Sequence, residues 1–116
     1  MTDNTRRQVV GELMKEQTQE MRHYIWNSVK DLKRFGVILN DKGQIKIASL
    51  KTKEQVDDFV KTTKEKYLKR HIEKSIDILK DCGVKVTEEH IKYMNSLSSP
   101  IYVDNYKQDL IRKIQR

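Results

Sequence analysis

Apolar residues between Arg6 and Phe35 recur with helical spacing. Val10, Met14, Met21, Tyr24, Ile25, Leu32 and Phe35 fall on one stripe when residues step by about 100°. The pattern predicts a long first helix within 1–35, with Gly36 placed just past its end as a left-handed cap. The spacing then changes. Val37-Ile38-Leu39, a turn-forming Asn40-Asp41-Lys42-Gly43, and the alternating Gln44-Ile45-Lys46-Ile47-Ala48 predict a β-hairpin across 36–50.

Thr52-Lys53-Glu54-Gln55 matches a capping box and opens a second long helix over 52–82, ended by Gly83. Its apolar stripe is narrow through Val56, Phe59, Val60 and Thr63. Beyond Tyr67 the stripe widens, as Leu68, Ile72, Ile76, Ile78 and Leu79 join it. After an extended link, Val84-Lys85-Val86, Thr87 caps a short helix with Ile91, Met94 and Leu97 inward. Ser98-Ser99-Pro100 breaks that helix, and Asp104 caps a last one carrying Tyr106, Leu110 and Ile114. The expected fold class is therefore mainly α: two long helices joined by a small β-hairpin, then two shorter C-terminal helices within 87–116. The whole of 1–116 is expected to form a single helical domain.

Trp26, the one tryptophan, lies off the apolar stripe of the first helix. It projects toward the arc that carries Lys15, Arg22, Lys30 and Lys33. As a functional residue its ring could stack on an exposed base while the neighbouring cations engage phosphates. As a structural one it would pack under the hairpin or the C-terminal helix, or anchor an interface between copies.

Composition narrows the classes. The chain carries 24 Lys and Arg against 17 Asp and Glu, a formal charge of +7. No segment is a basic tail, so a polyanion-binding face has to be assembled by folding. Much of the charge suits a solvated helix surface, with Asp57–Lys61 and Glu65–Lys69 spaced as i,i+4 pairs. No apolar run is long enough to cross a bilayer and no signal-peptide core opens the chain, so no membrane partner and a cytoplasmic location are expected. The lone Cys82 has no disulfide partner and reads as a buried thiol in a reducing compartment.

One segment carries a resemblance. Ser28-Val29-Lys30-Asp31-Leu32-Lys33-Arg34-Phe35-Gly36-Val37-Ile38, followed by Gly43-Gln44-Ile45-Lys46-Ile47, resembles the recognition helix and wing of a winged-helix DNA-binding domain. The likeness is confined to residues 28–48. It implies further helices before the recognition helix, joined by a tight turn. The polar run Lys15-Glu16-Gln17-Thr18-Gln19-Glu20 is the one place where the first helix could break to supply them. A break there keeps Trp26 in a compact reader of nucleic acid; an unbroken helix makes it a packing or docking residue.

Catalytic patterns do not surface. His23, His71 and His90 lack the short spacings of metal sites, and His71 reads as a satisfied core histidine. Asp57-Asp58 and Glu88-Glu89 fall in first helical turns, where acids complement the helix dipole. No phosphate loop or nucleophile elbow is present. The expectation is a protein that is not an enzyme, with no cofactor, no metal and no small-molecule substrate. Nucleic acid, DNA foremost, is the first expected partner of a small regulatory or accessory protein. Arg22, Trp26, Lys30, Lys33 and Arg34 of the first helix, with Lys42 and Lys46 of the hairpin, are the expected contacts. The alternative is a helical interaction module: a homo-oligomeric scaffold, such as a homodimer, or a small inhibitor or adaptor docking on a larger machine.

Overall fold

The computed structural model describes residues 2–114, and every regular element among them is helical. The order is α1 (Asp3–Glu16), α2 (Gln19–Phe35), α3 (Asp41–Ser49), α4 (Lys53–Asp81), α5 (Glu88–Asn95) and α6 (Pro100–Ile114). The chain divides into two compact units, 1–64 and 65–116. α4 contributes its first part to one unit and its second part to the other.

Two expectations about the N-terminal unit are corrected. The first long helix is two helices, broken at Gln17-Thr18 without glycine or proline. Thr18 takes an extended conformation and its hydroxyl accepts from the backbone N–H of Met21, as an N-cap does. Gln17 is extended as well and buried. Its side-chain amide donates to the carbonyls of Ala48 at 2.8 Å and Leu50 at 2.6 Å, tying the α1–α2 corner to the end of α3. The polar run thus contains a break because its one buried member satisfies carbonyls on another element.

The β-hairpin is absent: residues 41–49 form α3. Asn40, read as a turn residue, is the N-cap, its side-chain oxygen accepting from Gly43 N–H at 2.8 Å. Asp41 stands in the first turn, where a negative charge is favoured, and Gln44 reaches back to the Leu39 carbonyl. Gly43 serves close packing, since a Cβ there would lie 3.1 Å from Leu39 Cδ2. Asn and Asp favour helix caps as much as turns, and Ile45 and Ile47 are too few to separate a period of two from one of 3.6.

The core of this unit gathers Ile25, Ile47 and Val56, with Met14, Met21, Tyr24, Leu39, Leu50, Phe59 and Val60 against them. Leu32 is fully buried too. At the end of α2, Gly36 has φ 112° and its N–H bonds the Leu32 and Lys33 carbonyls, the left-handed cap that its position predicts.

The C-terminal unit is built on Ile72, Leu79, Val84, Met94, Val103 and Leu110. In the N-terminal unit the capping box at Thr52 is present: the Gln55 backbone N–H donates to the Thr52 hydroxyl, and the Gln55 side-chain oxygen accepts from the Thr52 N–H. Thr87 caps α5 with His90 reaching back. Asp104 does not cap the last helix, which starts four residues earlier at Pro100, a residue suited to the first turn because it lacks an N–H. Asp104 lies inside α6, its Oδ1 2.7 Å from His71 Nε2. Cys82, expected to be buried, is exposed.

Candidate nucleic-acid interface

The two sides of α2 carry opposite charge. Arg22, Trp26, Lys30 and Lys33 project within an arc of about 80° on a helix that turns about 100° per residue, and all four are exposed. Its acids, Glu20 and Asp31, fall on the other side and are spent within the fold. Lys53 pairs with Glu20, and Lys64 Nζ lies 2.7 Å from Asp31 Oδ2, both cations coming from α4. The hydrogen bond and charge of Lys53 hold the Glu20 carboxyl below its ordinary value. On the same side, the Tyr24 hydroxyl donates to Asp57, a bond that the phenolate would lose, and this raises the phenol's pKa. The outward stripe keeps cations alone. Among the described residues, Arg22, Lys30 and Lys33 enter no ion pair.

Trp26 is the centre of this stripe. The hairpin that would have covered it is absent, and the residue is 55% exposed. Lys30, one turn on, sets its ammonium 3.5 Å from the ring centroid, a cation–π contact that orders both side chains. Beside the ring runs a groove of about 320 Å³ formed by α1, α2, α3 and the 36–40 link. Val10 and Met14 of α1, Val29 of α2, and Ile38 and Leu39 of the link supply apolar walls, with Lys33 and Arg6 as its charged members. Ile38 is 84% exposed, the highest value for a large apolar residue among the described residues.

Arg34 lies about 40° beyond Lys30 around α2, at the margin of the stripe. Lys42 and Lys46 are not brought to it. With the hairpin replaced by α3, they occupy the face of that helix opposite Gln44 and Ala48, which line the groove. Lys46 instead directs its ammonium to within 5.8 Å of the Phe59 ring on α4. The expected contacts thus separate into a stripe on α2 and two lysines elsewhere.

Arg6 and Ile38 line the groove and were not singled out by the sequence pattern. Arg6 Nη1 donates to the Gln44 side-chain oxygen at 2.8 Å, and its Nε, buried and without a hydrogen bond of good geometry, sits 3.4 Å from Asp41 Oδ1. Only a partner 38 residues away in sequence makes Arg6 legible, and no local spacing encodes that.

Among the described residues no group of three or more His, Cys, Asp or Glu is placed to hold a metal ion. No helix among them is long and apolar enough to cross a membrane. Comparison of the chain with protein-family models, with curated proteins and with solved structures gives no match.

Proposed function

We propose that the chain binds nucleic acid, with the outward stripe of α2 as the contact surface. The observation that carries this reading is the segregation of charge on α2: both acids pair with α4, while Arg22, Lys30 and Lys33 enter no ion pair and surround an exposed tryptophan. Surface helices usually intersperse charges of both signs for local pairing. A stripe of one sign is instead repulsive within itself and is relieved by a polyanion. Phosphate contacts of this kind give affinity and register rather than sequence reading, so weak dependence on sequence is expected.

Anisotropy titration of a labelled oligonucleotide at two salt concentrations tests the reading. Release of counterions from about three neutralised phosphates gives a log–log slope with salt near −2 to −3. Affinity that does not change with salt would contradict it.

The apolar groove favours a second reading, a protein-docking surface that receives an amphipathic helix between α1, α2 and α3. That interaction would bury Ile38 and Trp26 and depend little on salt.

A further inference from the structure

We infer that the nucleic acid is single-stranded, and that one unpaired base enters the groove beside Trp26; the inference rests on the nucleic-acid reading of α2. A duplex hides the faces of its bases in the stack and offers only their edges. To an edge, Trp26 offers a single N–H donor and no acceptor, a poor reader for so central a position. A single strand presents base faces, for which an exposed indole is a platform.

The surroundings of the ring fit a base better than they fit an edge. Its apolar neighbours Val10, Met14, Val29, Ile38 and Leu39 form a cleft, rather than a flat surface, that continues from the indole. Lys30 already sits over the ring, so a base on the opposite face leaves that cation–π contact intact while the ammonium remains close to the backbone phosphates. Arg22 and Lys33 stand one turn before Trp26 and two turns after it, so cations flank the base site along the helix. The walls are mainly apolar, so recognition is by face contact and tolerates any base.

The protein carries its own reporter, because Trp26 is its one tryptophan. The experiment excites Trp26 selectively in the full chain and titrates it with oligothymidylate or with a duplex of equal length, at low salt. The expected result is quenching of Trp26 emission by the single strand, with at least about tenfold tighter binding than the duplex. Trp26→Ala weakens single-strand binding by about fivefold to a hundredfold, the range of one base–aromatic stack. Trp26→Phe retains most of it. Ile38→Ser, at a residue too exposed to unfold the chain, weakens the single strand and leaves the duplex unchanged. Circular dichroism establishes that each variant is folded; should Trp26→Ala fail to fold, Trp26→Phe and Ile38→Ser decide.

Duplex binding as tight as single-strand binding, with unchanged Trp26 emission, overturns the inference and leaves the nucleic-acid reading standing. Binding of neither at low salt overturns both.

Discussion

Gln17 shows how one side chain decides the local architecture. Its amide donates to two carbonyls, Ala48 and Leu50, just where α3 ends and the chain turns toward α4. Gln17→Ala leaves both acceptors without that donor in a buried setting. The expected cost is about 1–3 kcal/mol, read as a lower denaturant midpoint with an unchanged slope. Gln17→Glu, which cannot donate, should cost at least as much. Glu20 offers a finer test. Its carboxyl is held low by Lys53, so its contribution is present above the ordinary carboxylate range and fades as pH falls through the lowered value. Both partners are open to water, so the effect is small and screened by salt. The stability difference between the protein and Glu20→Gln should therefore be present at pH 7 in dilute buffer and be lost as pH falls through the lowered carboxyl value.

Elements differ in how openly the sequence encodes them. α4 could be read because a capping box at Thr52, a long run free of breakers and Gly83 beyond its end agree. The left-handed cap at Gly36 could be read for the same reason. α3 could not. Its nine residues begin with Asn-Asp, which serve turns and caps alike, and its stability comes from burying Ile47 and Ala48 rather than from local preference. The α1–α2 break was visible only as a polar run, since what satisfies it lies in α3. The expected i,i+4 partner of Asp57, Lys61, gives way to the Tyr24 hydroxyl, which no helical spacing foretells. Packing then sets the energetics. Leu32 on α2 and Met94 on α5 are both fully buried, each in a different unit. Leu32→Ala and Met94→Ala should each lose about 2–5 kcal/mol, measured by denaturant titration. Only Leu32→Ala should also reduce oligonucleotide binding when the chain is partly unfolded, because α2 carries the cationic stripe.

At the scale of the whole chain, a net charge of +7 says little until its placement is known. The N-terminal unit turns a part of that charge into a directed surface by placing the acids of α2 against α4. Sequence periodicity alone puts Arg22, Trp26, Lys30 and Lys33 on one helical stripe. It could not find the groove, whose walls come from three helices and a link far apart in sequence. It also misplaced Lys42 and Lys46, because a face of α3 cannot be assigned while residues 41–49 are taken for a hairpin.

Charge reversal on and off the stripe separates α2 from the rest of the basic surface. Oligonucleotide affinity should be measured at low salt for two folded variants of equal charge change, Arg22→Glu/Lys33→Glu on the stripe and Lys42→Glu/Lys46→Glu off it. The on-stripe variant is expected to lose affinity by about a hundredfold or more, and the off-stripe variant by less than about tenfold, the residual effect of net charge. Equal losses from the two variants, or an on-stripe variant that binds like the unaltered protein, would contradict α2 as the interface.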